Sequence, residues 1–301
     1  MNAEGSRTER ACYVLAAVLM LSGLVHLGVL VVSGGSWDGP VSWRKPATFG
    51  MSFGLTLATL TWVLGFVTLR ARTRCVLLAL LALGCLVEVV VISVQAWRGL
   101  PSHFGVTGPG AGLVGAGAAG GALVIVGTVS VATVAAWRPA SATAPSMRLA
   151  LRAGFCSLMV AVALGVYMLA RGMLISRGNG DVAGAFAFTA TVKPGHGATM
   201  HGILVLPALA WLLSFTDRPE NGRLAVVRAA VVGYVLLAGV VVAEALAGIP
   251  PLAVAIAPTA ATVLAVAGTA VLCAAVWVAL RALRRSPSPR SPGPTGRTRM
   301  W

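Results

Sequence analysis

Charged residues are scarce in this chain. Only 10% of its 301 residues are charged, and just eight are acidic, whereas a typical soluble domain has roughly 25% charged residues. Hydrophobic residues make up 57% of the chain, and the mean hydropathy is +0.88. This composition excludes an ordinary soluble protein and predicts a polytopic membrane protein.

Cysteine and lysine are also rare. The five cysteines show no C-x-x-C spacing and lie in or beside apolar runs, so we expect neither a disulfide framework nor a zinc ribbon. Lysine occurs only at Lys45 and Lys193, and the other basic residues are arginines. The formal net charge of +15 resides mostly in short loops and the C-terminal tail. This distribution indicates membrane topology and contact with anionic lipid, not nucleic-acid binding.

Eight apolar runs have close to the ~20 residues that cross a bilayer. They cover residues 11–33, 47–69, 75–97, 111–137, 149–170, 198–216, 224–247 and 258–280. We therefore predict an all-α fold, a transmembrane bundle of about eight spans in one domain over residues 1–283. Residues 284–301 are rich in Pro, Ser and Arg, which predicts a disordered cytoplasmic tail.

The basic residues predict the orientation of the bundle. If the N-terminus is cytoplasmic, 17 of the 23 basic residues fall on the inner side and six on the outer side. The positive-inside rule then places both termini in the cytoplasm, with the protein in the cell membrane. In this orientation the longest outer loop is expected from Arg171 to Gly202. All four histidines then lie in the outer half or the outer loops.

Two stretches of the chain resemble each other. KPATFGMSFGLTLATLTW, from Lys45, matches KPGHGATMHGILVLPALAW, from Lys193, at an offset of 148 or 149 residues with one insertion. Each stretch opens a helix with Lys-Pro and has a tryptophan, Trp62 or Trp211, near its end. The similarity suggests a four-plus-four parallel repeat, which would place a site at the interface of the two halves.

The principal candidate for chemistry is Glu88, a carboxylate in the middle of an apolar span. Acids in such positions are unfavourable in lipid and are functional candidates. Glu88 could be a general acid, with Gln95 two turns further on the same helical face to orient it or to hold a substrate group. Alternatively, a protonated Glu88 hydrogen-bonds a neighbouring helix and only assists packing. Glu244, nearer the membrane surface, is a weaker candidate for substrate binding.

The histidines are a second kind of candidate. His103 could relay a proton in catalysis, and His201 could contact substrate through a hydrogen bond. The chain has no H-x-x-x-H pattern and no acidic ligand cluster, so we expect no metal and no cofactor. Four histidines on one side nevertheless keep haem binding open as an alternative. His196 and His201 are five residues apart, and Gly197 between them is expected at a boundary of loop and helix.

Aromatic side chains gather at the predicted outer boundary. Trp43, Trp97 and Phe104 all fall within or just beyond the ends of predicted spans. They could form an interfacial belt, as tryptophans commonly do at membrane surfaces. They could instead line a substrate pocket whose ring faces stabilise a cation. The nearby acid, Glu88, makes the pocket a plausible alternative for the set.

Two cations occupy the first predicted outer loop. Arg44 and Lys45 stand there against the positive-inside trend, and breaks of a local rule tend to mark sites. They could bind a lipid phosphate or a diphosphate, which makes Arg44 a candidate substrate-binding residue. They could equally pair with the acids Asp38 and Asp181.

Three runs of the sequence resemble runs in a large set of bacterial polytopic membrane proteins. They are SWRKPATFGMSFG, EVVVISVQAWRGLPSHFG and HGATMHGILVLPALAW, within a resemblance that extends from about Leu24 to Trp211. More distantly, the chain is similar in type to the membrane-bound terpene cyclases of bacterial indole-terpenoid pathways. In that type a membrane acid protonates an epoxide or alkene, and aromatic residues guide the cation. The resemblance implies a buried acid in an aromatic outer pocket, although no diagnostic cyclase motif aligns residue by residue.

These patterns lead to three expectations about function. The first is an intramembrane enzyme that cyclises a lipophilic, isoprenoid substrate, with Glu88 as general acid. The second is a proton-coupled transporter or small-molecule-binding protein in which Glu88 carries the proton. The third is a haem- or quinone-binding membrane protein. The expected partners are a lipophilic small molecule and the lipid bilayer, and not nucleic acid.

Overall fold

Long helices make up most of the chain. The structure is a computed structural model that describes residues 3–37, 39–104, 111–139, 143–249 and 259–285. Within these residues the chain forms nine α-helices, one 3-10 turn at Leu64–Phe66 and no strand. The helices are α1 (Ala3–Ser33), α2 (Arg44–Val63), α3 (Ala71–Trp97), α4 (Ala111–Trp137), α5 (Pro145–Asn179), α6 (Val182–Met200), α7 (Gly202–Ser214), α8 (Glu220–Leu246) and α9 (Thr259–Arg285). The predicted all-α fold is confirmed.

Eight spans run from one end of the bundle to the other. Each is long and apolar enough to cross a bilayer, and α6 and α7 together form one of them, Val182–Ser214. The even number brings the start of α1 and the end of α9 to one end, which we call the Arg74 end after a residue in the first turn of α3. We call the opposite end the His103 end, after a residue that follows α3. The chain is a multi-pass membrane protein.

Apolar side chains cover the outside of the bundle as well as its inside. Leu83 and Val235, both in the interior of spans, are 53% and 61% exposed. This pattern fits helices that face lipid acyl chains. In that environment the backbone N–H and C=O groups must be hydrogen-bonded within the protein, as they are in a helix. Inside the bundle, one cluster of buried apolar residues draws members from all eight spans. Phe155 of α5 is the largest fully buried side chain in this cluster.

The predicted loop from Arg171 to Gly202 is wrong, because this stretch is helical. Helix α5 continues to Asn179 and α6 begins at Val182, so the connection shrinks to two residues. Several polar side chains that suggested a loop bond to backbone carbonyl oxygens of α5 and α6. For example, Nδ1 of His196 hydrogen-bonds the carbonyl oxygen of Ala161 on α5 at 2.7 Å. Because helix carbonyl groups satisfy these polar atoms, a polar stretch does not by itself indicate a loop.

The two-residue turn between α5 and α6 has well-defined chemistry. Gly180 adopts the left-handed conformation, with φ of 68°, and thereby ends α5. Asp181 then caps α6, because its Oδ1 accepts a hydrogen bond from the backbone N–H of Gly184 at 2.7 Å. Asp181 is therefore a helix cap. The other acid proposed to pair with the loop cations, Asp38, lies outside the described residues, as does the predicted tail beyond Arg285.

The helix contacts of the second half repeat those of the first. In the first half α1 packs on α2 and α3, α2 packs on α3, and α3 packs on α4. In the second half α5 packs on the α6–α7 span and on α8, that span packs on α8, and α8 packs on α9. Helices of the same rank therefore make the same contacts, which supports the four-plus-four parallel repeat.

Helices α3 and α8 also end in the same hydrogen-bonded turn. The backbone N–H of Leu100 donates to the carbonyl oxygen of Gln95 at 3.0 Å, and the backbone N–H of Ile249 donates to the carbonyl oxygen of Glu244 at 2.9 Å. Each turn passes through a glycine with positive φ, Gly99 at 64° and Gly248 at 72°. Both pairs are 149 residues apart, so Gln95 and Glu244 are equivalent positions of the repeat.

Glycines allow the last two helices of each half to touch through their backbones. A Cβ on Gly84 of α3 would lie 3.2 Å from the carbonyl oxygen of Gly121 on α4. A Cβ on Gly233 of α8 would lie 2.8 Å from the carbonyl oxygen of Gly268 on α9. Small residues at such crossings let membrane helices approach closely, which strengthens dispersion contacts that lipid cannot replace.

Equivalent residues of the two halves meet where α2 passes the α6–α7 span. The Ser52 hydroxyl donates to the sulfur of Met200, 148 residues away, at 3.7 Å. The rings of Trp62 and Trp211 are edge to face, with centroids 5.9 Å apart. Residues that contact their own counterparts lie on the axis relating two copies. The axis of this repeat therefore runs between α2 and the α6–α7 span, along the helices.

The first prediction concerns orientation. If the His103 end faces outward, Ser36→Cys should react with a membrane-impermeant maleimide on intact cells, because Ser36 is exposed at that end. Asp217→Cys, exposed at the Arg74 end, should react only after permeabilisation. Labelling is measured against the background of the native cysteines. The reverse pattern would place the basic end outside and contradict the positive-inside assignment.

The second prediction concerns the glycine contacts. A Cβ on Gly50 would lie 2.7 Å from both the N of Gly23 and the carbonyl oxygen of Leu19, which are backbone atoms of α1. Gly50→Ala should therefore destabilise the protein by about 1–3 kcal/mol, as overpacking does. Gly28→Ala is the control, because nothing lies within 4 Å of its added Cβ. Thermal unfolding in detergent should show a lower midpoint for Gly50→Ala alone.

Candidate functional site

Glu88 is buried in the contact between α3 and α4. Its exposure is 4%. The carboxyl group lies against the α4 backbone, with Oε1 3.2 Å from the position that a Cβ on Gly121 would take. The group also interacts with the backbone of Ala122. The glycine thus provides the space in which an acid can be held inside an apolar span.

The second half makes the same contact without an acid. Glu88 follows Gly84 by four residues, and the equivalent Gly233 is followed after four residues by Leu237. The backbone N of Leu237 is 2.9 Å from the position of a Cβ on Gly268, at the equivalent crossing. Close packing of the two helices therefore does not require a carboxylate at this position.

Gln95 holds the segment that follows α3. Its side chain is buried, and Nε2 donates to the carbonyl oxygen of Pro101 at 3.2 Å. Its Oε1 accepts a hydrogen bond from Arg98 at 3.1 Å. Both ends of the amide are therefore bonded to residues near the His103 end. The structure gives Gln95 the role of fixing this segment, and its bonds do not join it to Glu88.

Phe104 is held in an unusual conformation over α5. It is the sole non-glycine residue with positive φ in the described part of the chain, at 62°. Such a backbone costs on the order of 1–3 kcal/mol for an aromatic residue. The ring is buried against Gly172, whose missing side chain leaves room for it, and is 5.1 Å from the ring of Phe186 on α6. Packing of the ring offsets the strain.

His103 is kept neutral by its surroundings. Burial, together with the smaller effect of the positive charges of Lys45 and Lys193, lowers its pKa from 6.5 to about 4. Its Nδ1 is 3.1 Å from the hydroxyl of Ser102, and its ring centroid is 6.1 Å from that of Phe49. At neutral pH the imidazole is a hydrogen-bonding group and carries no proton to give as an imidazolium.

Trp43 and Trp97 form a cluster with His26, which was not among the predicted site residues. The indole N–H of Trp97 donates to Nε2 of His26 at 3.2 Å, while Nδ1 of His26 bonds the carbonyl oxygen of Ser22 at 2.7 Å. These bonds assign the proton to Nδ1. The Trp43 ring stacks on His26 at 6.0 Å and meets Trp97 edge to face at 4.7 Å. The two tryptophans therefore pack on each other and not around a cavity.

The two loop cations point in different directions. Nε of Arg44 donates to the carbonyl oxygen of Trp37 at 2.7 Å, and its guanidinium lies 5.6 Å from the centroid of that ring. Lys45 turns into the protein and is 7% exposed. Its Nζ donates to the carbonyl oxygen of Pro40 at 2.6 Å and is 3.4 Å from the ring centroid of Phe186. Arg44 thus braces the first loop, whereas Lys45 reaches the segment around His103.

His201 and Glu244 lie apart from these groups. His201 is exposed near the middle of the sixth span, and its Nδ1 bonds the carbonyl oxygen of Gly197 at 2.6 Å. Gly197 is inside α6, so the expected boundary at this residue is wrong; the helix breaks at His201. Glu244 is half-buried close to the end of α8. Among the described residues, no three His, Cys, Asp or Glu side chains cluster as metal ligands.

Two cavities accompany these residues. A space of about 10 Å³, close to the size of one water molecule, is lined by Lys45, Ile92 and Ser102 among others. Ile92 is one turn from Glu88 on α3. A larger groove of about 450 Å³ lies between α5, α6 and α8, and its lining includes Thr191 and Leu246. Glu88 lines neither of these two cavities.

The groove takes the place that aromatic rings fill in the other half. Thr191 and Leu246 are 148 and 149 residues after Trp43 and Trp97, and are therefore their equivalents in the repeat. Where the first half packs two indoles, the second half has Thr191 and Leu246 beside open space, which the rings of Tyr167 and Phe188 also line. The groove has the volume of a typical ligand site, about 300–1,000 Å³.

The structure brings most of the predicted site residues to the His103 end. His103 and Phe104 meet Lys45 there, and Gln95 fixes their segment. Trp43, Trp97 and Arg44 form adjacent contacts, with Glu88 about two turns deeper than Gln95. His201 and Glu244 do not join them.

Three further residues of this assembly were not among the predicted site residues, namely His26, Phe186 and Lys193. The internal repeat in the sequence had already paired Lys193 with Lys45.

Comparisons of the chain with family models, curated proteins and solved structures found no match. Functional assignment therefore depends on the residues and contacts described above.

The third prediction concerns His103. Between about pH 4 and pH 6.5 the unfolded chain binds a proton at this histidine and the folded protein does not, so acidification through this range destabilises the fold. The wild type should therefore lose more thermal stability between about pH 7 and about pH 5 than His103→Gln does. Equal losses in the two proteins would show that other groups cause the acid sensitivity.

Proposed function

We propose that this protein acts on a lipophilic small molecule within the membrane and that Glu88 exchanges a proton with that molecule. The reaction that the sequence resemblance favours is acid-initiated cyclisation of an isoprenoid. The observation that carries the proposal is the difference between Glu88 and Leu237, which occupy equivalent positions at equivalent glycine contacts. The second half packs with Leu237 at this position. Packing therefore does not explain the acid of the first half, and we attribute Glu88 to proton chemistry.

The chemistry of such a step balances without a cofactor. The carboxylic acid of Glu88 would transfer its proton to an epoxide oxygen, and the C–O bond would open with its electron pair staying on oxygen. A neighbouring alkene would supply two electrons to form the new C–C bond. The final carbocation would lose a proton to the Glu88 carboxylate, which restores the acid. The product is an isomer of the substrate, and the apolar span would protect the cation from water.

The site near Glu88 would have to open for this reaction. The small cavity lined by Ile92 and Lys45 lies one helical turn from the acid and supports an approach from the His103 end. The glycines of α4, including Gly121, have no side chains, so the surface of α4 that faces Glu88 is flat. A modest separation of α3 and α4 would expose the carboxyl group to a flat or linear hydrocarbon.

A second candidate, proton-coupled transport, is favoured by the repeat itself. Parallel repeats with an axis along the membrane normal occur in transporters, whose sites lie at the interface of the two halves. Here the axis passes between α2 and the α6–α7 span, where Ser52 contacts Met200. In this alternative Glu88 would bind and release the coupled proton, with no bond made or broken in the cargo.

The fourth prediction uses two substitutions of Glu88. Both Glu88→Gln and Glu88→Leu should preserve expression and thermal stability, because glutamine keeps the size and the hydrogen bonding of the acid and the equivalent residue of the second half is Leu237. Both should reduce turnover by about 10²–10⁴-fold, the usual contribution of general acid catalysis. Turnover is measured as conversion of the terminal epoxide of farnesol, by purified protein, to a cyclic isomer of equal mass.

The two substitutions also separate function from packing. If Glu88 only assists packing, the leucine variant should unfold at a clearly lower temperature and the glutamine variant should resemble the wild type. Proteoliposomes with a pH-sensitive dye test the transport alternative, in which both variants would abolish farnesol-dependent proton flux. If Glu88→Gln behaves like the wild type in both assays, Glu88 has no part in the proposed function.

A further inference from the structure

The groove between α5, α6 and α8 is apolar and open at its side. Val192 at its base is buried, whereas Tyr167 and Leu246 at its rim are exposed. None of the described residues that line it is charged, and the Thr191 hydroxyl already donates to the carbonyl oxygen of Phe188 at 2.8 Å. Because the exposed faces of these spans meet lipid, the opening faces acyl chains and not water. The groove therefore suits a hydrocarbon chain.

The groove lies in the half of the membrane next to the His103 end. Leu246 is the last residue of its span, and Phe188 lies in the second turn of the span that starts at Val182. Tyr167 is 11 residues before Gly178, where the fifth span ends, which is roughly 16 Å along the helix axis. The groove thus extends from the membrane surface into the layer of acyl chains.

The size of the groove matches a single hydrocarbon chain. Its volume is about 450 Å³. A water molecule takes up about 30 Å³ of the liquid and a methylene group is similar in size, so the groove has room for about fifteen chain carbons. The acyl chains of membrane lipids have a comparable length. A second chain of the same lipid would remain in the surrounding bilayer.

An arginine stands beside the groove on the side of the membrane surface. Arg171 is one helical turn beyond Tyr167, on the same face of α5 and nearer the His103 end. Its guanidinium is 6.0 Å from the centroid of the Phe188 ring, which in turn packs edge to face on Tyr167 with centroids 5.7 Å apart. Arg171 is exposed, and within the described residues no acid forms an ion pair with it. An anionic group above the groove can therefore reach this guanidinium.

We infer that the groove is a binding site for an anionic phospholipid, with one acyl chain in the groove and the phosphate on Arg171. The planar guanidinium matches phosphate oxygens through its fork of N–H donors. Phosphatidylglycerol presents its phosphate without a cation, whereas phosphatidylcholine adds an ammonium group that Arg171 repels, so the anionic lipid is preferred. The bound chain fills the space between α5, α6 and α8. This site lies in the second half and does not depend on the proton chemistry proposed for Glu88.

The fifth prediction concerns binding of the two lipids to the purified protein, measured by native mass spectrometry from detergent. The wild type should bind phosphatidylglycerol more tightly than phosphatidylcholine. Arg171→Met should weaken binding of phosphatidylglycerol by about tenfold or more, as expected for loss of a charge-assisted hydrogen bond, and should abolish the preference. Arg177→Met is the control, because it removes an exposed charge from the last turn of the same helix.

A second variant tests the groove separately from the arginine. The equivalent of Leu246 in the first half is Trp97, so this position of the repeat accommodates an indole. Leu246→Trp should fill the groove and thereby weaken binding of both lipids. Leu174→Trp is its control, because it adds an indole at an exposed position of α5 that does not line the groove. Equal affinity of the wild type for both lipids, together with unchanged binding in Arg171→Met and Leu246→Trp, would overturn the inference.

Thermal stability gives an independent readout. In detergent without phospholipid, Leu246→Trp should unfold at the same or a higher temperature than the wild type, because the indole occupies open space. Added phosphatidylglycerol should raise the midpoint of the wild type and of Arg177→Met, but not that of Leu246→Trp. A lower midpoint for Leu246→Trp in detergent would show that protein atoms already fill the groove. A dimer in the mass spectra that Leu246→Trp dissociates would assign the groove to a second copy of the chain. Either result would overturn the lipid site.

Discussion

Contact between helix backbones at glycine is the constraint on which the rest of the structure depends. In lipid there is little hydrophobic gain from joining two apolar helices, so close approach and dispersion must hold them together. Gly50 meets the α1 backbone and Gly233 meets Gly268 at distances that leave no space for a side chain. The missing side chain of Gly121 likewise creates the space that holds the Glu88 carboxyl group. Packing and the placement of the acid are therefore one feature of the fold.

The two halves of the protein have the same helix packing but different side chains at several equivalent positions. The two halves share helix contacts, glycine crossings and the terminal turns of α3 and α8. They differ where side chains could act. Glu88 of the first half corresponds to Leu237 of the second, and the paired indoles of Trp43 and Trp97 correspond to the position of an open groove. The lysines are the exception, since both halves keep them. Differences mark the groups that one half alone requires.

The sequence predicted the spans, but it misjudged the stretch from Arg171 to Gly202. Lys193, Pro194 and His196 read as a polar loop because one sequence cannot show which polar atoms find partners in other helices. His196 bonds the Ala161 carbonyl, 35 residues away. A similar reason explains Gln95, whose spacing suggested a partner for Glu88 but whose amide bonds to residues just beyond its own helix.

Composition and the length of the apolar runs alone determined that this is an all-helical membrane protein with eight spans, because crossing a bilayer requires about twenty apolar residues whose backbone groups bond internally. They also identified Glu88, because an acid inside such a span is conspicuous. Tertiary structure decided what surrounds each candidate: the neutral state of His103, the inward turn of Lys45 and the meeting of the two halves along one axis. These depend on contacts between residues far apart in the chain, which are fixed only when the helices pack.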